Sequence, residues 1–196
     1  DVSLFVGKTK KEFKAHKVVL ELQAKELHNI IILASPSDDM YNTGGSNIQL
    51  ENTDEDIFKS LLDFIYIAIK PELNDDIDTA ESILTAANYF GCIDLKLYME
   101  STIIEKFLTA STAARLLLFA DSHVCPLLKE SAMNIYFLDP TEFINGGGWS
   151  RLEESPKLLS ELLRFASTDR KSYVPIAKIE DVAEEQADDL NVTSLR

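Results

Sequence analysis

The sequence predicts an α+β chain, a small three-stranded sheet packed with helices and followed by an all-helical segment. Three observations carry that prediction. Short alternating runs crowd the N-terminus, apolar residues from Thr53 onward recur at three- and four-residue spacing, and clusters of Gly, Pro and Asn separate the runs. The chain has 196 residues, 45% of them apolar and 27% charged, which allows one large domain or two small ones with a real core.

Val2-Ser3-Leu4-Phe5-Val6 reads as a strand closed by Gly7, and Glu12 to His16 alternates as a returning strand after the basic turn Lys8 to Lys11. Val18 to Leu33 is one helix or a broken pair, with Val19, Leu22, Leu27, Ile30 and Ile31 on its apolar side. Ser35 to Asp39 breaks the pattern, Asn42 to Ser46 is a loop, and Asn47-Ile48-Gln49-Leu50 is a short third strand. Thr53 or Asp54 caps a helix carrying Ile57, Leu61 and Ile65. Asp78 or Thr79 starts the next, with Ala80, Ile83, Leu84 and Ala87 inward and Gly91 at its C-terminal cap. Ile93 to Leu108 is a further helix, and Ser111 to Ala120 with Pro126 to Leu138 forms an antiparallel pair. Asp139-Pro140-Thr141 ends that pair, Gly146 to Gly148 is a flexible stretch, and Ser155-Pro156 opens a leucine helix. The predicted division is residues 1–108, residues 109–168, and an acidic mobile tail over residues 169–196.

Formal net charge is −14, which argues against nucleic acid as a partner of the surface as a whole. Six carboxylates near the C-terminus, Glu180, Asp181, Glu184, Glu185, Asp188 and Asp189, concentrate that charge. Cys92 and Cys125 stand in apolar helical contexts without metal-ligand spacing, so they read as buried free thiols of a reducing compartment. No apolar run approaches the ~18 residues of a membrane span, and no secretory signal is visible. The chain opens on a strand without a methionine and reads as part of something longer. His16, His28 and His123 are scattered, and no nucleophile with an orienting carboxylate accompanies them, so no catalytic, cofactor or metal residue is predicted and the chain reads as a non-enzyme.

Three blocks in order carry a family resemblance: Asp1-Val2 with Phe13-Lys14-Ala15-His16-Lys17-Val18-Val19-Leu20, then Asp54 to Tyr66, then Leu84, Ala87, Phe90 and Leu95. Over residues 1–108 the sequence resembles the BTB/POZ family. Leu117 to His123, and Gly148-Trp149 before a Ser-Pro leucine helix, resemble the BACK-type helices of the speckle-type POZ group over about residues 109–167. The resemblance implies an intracellular adaptor, nuclear or cytoplasmic, that forms a homodimer and bridges a cullin scaffold of a ubiquitin ligase to a substrate protein of unknown identity.

It also implies site residues. Asp1, His16, Lys17, Val19 and Leu20 match the dimer interface, with Asp1 and Lys17 as its charged pair. Met40, Tyr41 and Asn42, together with Tyr66, match the cullin contact, where relatives carry an apolar residue, any residue, then Glu. Asn42 stands where that Glu is expected; an amide still accepts a hydrogen bond but loses about 1 kcal/mol of charge-assisted strength. Leu162 and Leu163 occupy the stretch of a second self-association contact, or belong to ordinary helical core. Asn42 leaves open a second class, a BTB scaffold for chromatin or transcriptional complexes that does not engage cullin. Leu190 to Arg196 is similar to the opening of a SAP-type helix and points the same way.

Overall fold

The N-terminal runs form the predicted hairpin in the computed structural model, which describes residues 1–34 and 46–167. Strand β1 (Val2–Val6) buries Val2, Leu4 and Val6, and β2 (Lys11–Ala15) pairs with it antiparallel, Val2 opposite Ala15 and Val6 opposite Lys11. The turn between them rests on Gly7, whose φ is +71° and whose N–H donates to the Leu50 carbonyl at 3.0 Å. The positive φ favours glycine, and a Cβ there, 2.7 Å from the Glu55 carboxylate, would also displace that side chain. Strand β3 (Ser46–Leu50) lies along the other side of β1 and parallel to it, Val2 opposite Ser46, which gives the order β2-β1-β3.

Between β2 and β3 run α1 (Lys17–Gln23) and α2 (Lys25–Ala34), so the segment is the broken pair. The break falls at buried Ala24, where φ is −146° and the N–H still reaches the Leu20 carbonyl at 2.8 Å. Leu20, Ala24, Leu27 and Ile31 form the inward row. Leu22, predicted on the apolar side, is instead 78% exposed. At about 100° per residue it stands on the far side of α1 from Leu20, one turn after the equally outward Val18.

Asp54 caps α3 (Glu55–Ile67), its carboxylate accepting from the N–H groups of Asp56 at 2.9 Å and Ile57 at 3.1 Å. Phe58, Leu61 and Leu62 are the buried stripe, and Ile57 and Ile65 are half-buried at its edges. Helix α4 (Ile77–Phe90) starts earlier than predicted because Asp76 is its cap. The Asp76 carboxylate accepts from the Thr79 hydroxyl at 2.6 Å and from the Asp78 and Thr79 N–H groups; these bonds, the hydroxyl first, hold its carboxyl below the ordinary range. Gly91 closes α4 at φ +71°, as predicted, and a Cβ there would meet the Glu26 backbone at 2.9 Å.

Helix α5 (Ile93–Phe107) leads to the antiparallel pair α6 (Ala110–Ser122) and α7 (Pro126–Leu138). Asp139-Pro140 ends that pair and also starts α8 (Pro140–Asn145), with Asp139 as cap and Pro at the first helical position. Two more helices follow, α9 (Trp149–Glu153) and α10 (Pro156–Ser167). The glycines between α8 and α9, predicted to be a flexible stretch, are packed against α6. The Gly147 N–H donates to the Ser111 carbonyl at 3.0 Å, a Cβ on Gly146 would lie 2.4 Å from that same oxygen, and Gly148 sits over the Arg115 backbone at φ +104°. They permit close approach of two backbones and do not form a hinge.

Two apolar cores result. The first surrounds the sheet and α1–α5 and continues into Leu116, Ala120, Cys125 and Leu128; the second holds Ala113, Ala114, Leu117, Met133, Phe143, Leu152, Leu158 and Leu162. Helices α6 and α7 face both, so the first core crosses residue 108.

Candidate interaction surface

Helix α1 is too short to persist by itself. It is held by Leu20 in the core and by its N-terminal cap residue, because the His16 N–H donates to the Tyr66 hydroxyl at 2.8 Å and the His16 ring Nδ1 lies 3.1 Å from the same oxygen. That contact ties the start of α1 to the end of α3. Asp1 approaches the other ring nitrogen at 3.7 Å, with both side chains largely in solvent, so the pair contributes little to stability. Beside this junction α1 presents Val18 at 68% exposure together with Leu22, and α3 presents Tyr66, Ile67 and then Ile69. Large apolar side chains held outward on a fixed helix form a surface suited to another protein chain.

The predicted site residues are distributed unevenly over this surface. Asp1 and His16 meet, but the partner of Asp1 within the protomer is His16 and not Lys17. Val19 and Lys17 are half-buried, whereas Leu20 is sealed in the protomer core and presents nothing to a second chain: it faces opposite to Val18 and Leu22. Those two are the outward apolar side chains of α1, absent from the expected interface residues, and the signal for their shared face was the four-residue spacing between them. Tyr66, assigned to the cullin contact, is joined to His16, assigned to the dimer contact, so two separately predicted sites share one hydrogen-bonded junction. Met40, Tyr41 and Asn42 lie outside the described residues, as does the SAP-like segment from Leu190. Leu162 is core, while Leu163 is exposed.

A second junction was not predicted at all. Lys96 and Glu100 stand one turn apart on α5 and hold the two ends of the α6–α7 connection. The Lys96 ammonium donates to the carbonyls of His123 at 3.0 Å and Val124 at 2.6 Å, and to the Asn88 side chain at 2.8 Å. Glu100 is fully buried and accepts from the N–H groups of Leu127 at 3.0 Å and Leu128 at 3.1 Å. The cation thus meets the carbonyl end of α6 and the anion the amide end of α7, each matched to its helix dipole. Three ion pairs add to the joint. Arg115 on α6 meets Glu81 on α4 at 2.6 Å, and Lys129 on α7 lies 2.7 Å from Asp121 and 2.8 Å from Glu161 on α10. Burial pulls the Lys129 ammonium down, but its two carboxylates outweigh that and hold it above the ordinary lysine value.

Both thiols are buried, and burial raises each; that of Cys125, with the Glu100 carboxylate close by, is pushed up to about 11. A thiol held there carries little thiolate near neutrality and is a poor nucleophile. His123 stacks on Phe119 at 4.2 Å, with its Nδ1 bonded to the Phe119 carbonyl at 3.0 Å, which is a packing role. Among the described residues no group of His, Cys, Asp and Glu is arranged to hold a metal ion, and no helix is long and apolar enough to cross a membrane.

Hairpin, helical pair, parallel third strand and outward apolar helix define a protein-interaction domain. The BTB/POZ domain family model matches residues 1–107, and the chain belongs to the BTB/POZ family, whose domains mediate oligomerisation and protein partnering. The chain is similar to TD and POZ domain-containing protein 3 of Mus musculus, 27% identical over 164 residues, which cover 83% of this chain and 43% of the relative. Protein 4 of the same series is 28% identical over 163 residues (83% and 42%), and protein 2 is 29% identical over 157 (80% and 41%). The chain therefore spans less than half the length of these curated relatives. Alignments of that length run past residue 107, so the similarity includes part of the helical extension.

Proposed function

We propose that the chain is a dimeric adaptor without enzymatic activity, which joins a second copy of itself through α1 and presents a cullin scaffold of an intracellular ubiquitin ligase to a substrate protein. The observation that carries this reading is the pair Val18 and Leu22, held outward beside the His16–Tyr66 junction on a helix whose other side is core. A dimer holds two binding faces in one particle, and bivalency raises avidity for clustered motifs. The relatives that combine a POZ domain with a TD segment support an adaptor whose substrate is chosen elsewhere in a longer protein. The helices after residue 108, which resemble the BACK type, then act as a rigid extension, because Lys96 and Glu100 fix them to α5.

A second reading, a BTB scaffold for chromatin or transcriptional complexes that does not engage cullin, is favoured by Asn42 in place of the carboxylate. A pulldown of purified chain against the cullin N-terminal region, with Met40→Asp as control, distinguishes them. Capture by the parent and loss in the control supports the ligase adaptor. No capture at micromolar concentration removes it and leaves the scaffold.

A further inference from the structure

Charge is spread unevenly along this chain. Residues 8–17 hold five lysines against one glutamate, although the net charge of the whole is −14. Lys8, Lys10, Lys11 and Lys14 stand on the β1–β2 turn and on β2, and all four are exposed. Strand β2 is an edge of the sheet, so these cations lie along a backbone that pairs with no described strand on its outer side.

The hairpin holds them in fixed places. The Lys10 N–H donates to the Gly7 carbonyl at 3.3 Å, and the Thr9 hydroxyl donates to the Glu55 carboxylate. Lys10 itself has φ +56°, a corner that suits glycine better than lysine. Lys11 leans over the Phe13 ring at 5.5 Å, and Glu12 accepts from the Ser3 hydroxyl at 2.8 Å. Lys8, Lys10 and Lys14 form no ion pair among the described residues. The cations of the helices contrast with them: Lys59, Lys106, Arg115 and Lys129 each meet a carboxylate, and Lys96 is bonded to carbonyls.

The opposite charge is concentrated in one stretch of the same chain. Residues 180–189, outside the described residues, hold six carboxylates and neither Lys nor Arg. Glu180 lies thirteen residues beyond Ser167, the end of α10, and that length of chain spans up to about 45 Å. A compact body of this size is about 40 Å across, so the stretch can reach the hairpin. We propose that residues 180–189 dock on the β1–β2 hairpin of their own chain, with their carboxylates against Lys8, Lys10 and Lys14. Lysines on an edge strand turn away apolar and basic strands and select an acidic occupant. Each exposed pair is weak. The effective concentration of a segment on the same chain is millimolar, however, so an intrinsic Kd of about 0.5 mM keeps the hairpin about two-thirds covered. This contact goes beyond the adaptor reading and needs neither dimerisation nor a cullin.

The test is carbodiimide cross-linking of the full chain, read by mass spectrometry, together with the acetylation rate of each lysine. Expected are amide links from Lys8, Lys10 or Lys14 to residues 180–189. Acetylation of those lysines should be about threefold slower than in a chain carrying Glu180→Gln, Asp181→Asn, Glu184→Gln, Glu185→Gln, Asp188→Asn and Asp189→Asn. Sodium chloride at about 0.5 M should remove the protection in the unaltered chain, which needs no variant to fold. Lys25 and Lys157, exposed and away from the hairpin, should react equally in all samples. The proposal is overturned by equal hairpin rates in the unaltered and neutralised chains, or by protection that extends to Lys25 and Lys157. It is also overturned if a mixture of isotope-labelled and unlabelled chain gives links between copies only, or if the hairpin is protected only by added DNA or anionic vesicles. Sedimentation of the same samples reports dimerisation independently, so this contact and the adaptor reading fail separately.

Discussion

The two junctions of this molecule use charge in opposite settings. Around His16, Asp1 and the Tyr66 hydroxyl meet the imidazole in solvent, next to apolar side chains that face outward. Around α5, Lys96 and Glu100 grip backbone groups at the ends of two helices, and Glu100 does so fully buried. An exposed pair is screened by water and salt and contributes little, whereas a buried carboxylate bonded to two amides leaves unpaired donors when it is removed. The first junction can therefore change with a partner at small cost, while the second must persist for the helices to stay in place.

The sharpest test of that contrast is Glu100→Ala, which strands the Leu127 and Leu128 amides and should lower unfolding free energy by about 3 kcal/mol in urea titration. A loss below about 0.5 kcal/mol would erase the distinction between the junctions. Lys96→Met should cost less, about 1.5 kcal/mol, because the carbonyls of the connection reach water once the ammonium is gone. Val124, whose carbonyl Lys96 holds, has φ +53° although it is β-branched, so Val124→Gly should raise stability by about 1 kcal/mol.

Asp76 offers a pH test on a fully exposed cap. Its carboxyl is held below its ordinary value of 3.8, so its contribution is complete above that value and is lost as pH falls through the lower, folded-state value. Asp76→Ala should therefore lower the urea midpoint at pH 7 and cease to differ from the parent in strong acid. Smallest in stability should be Val18→Asp/Leu22→Asp, with an unchanged melt but a shift toward monomer by sedimentation. An unshifted association state in that variant would take α1 out of the proposed self-association.

How much of this was legible differed from place to place. The hairpin, the α4 stripe Ala80-Ile83-Leu84-Ala87 and the Gly91 cap were readable because each depends on neighbours a few residues away. The start of α4 was placed too late, at Asp78 or Thr79, because Asp76, Asp78 and Thr79 are all competent caps, and only the bonds made by Asp76 decide among them. The glycines at 146–148 were misread because a glycine run looks the same whether it bends freely or lies against another backbone; Ser111, some 35 residues earlier, settles it. Lys96 and Glu100 carried no signal in the sequence, because nothing on α5 itself tells that they reach α6 and α7.

By itself the sequence determined the α+β class, the order of elements as far as α7, the BTB/POZ family and the thiol-poor, acidic composition, but not α8 or α9, since periodicity, caps and motif spacing are local properties. Only the tertiary structure decided that Leu20 and Leu162 are core while Val18, Leu22 and Leu163 face outward, that His16 and Tyr66 form one junction, and that α6 and α7 are fastened to α5. The reason is that an amphipathic pattern says a helix has two sides, but which residues end up buried at its ends and breaks depends on what the rest of the chain packs against them.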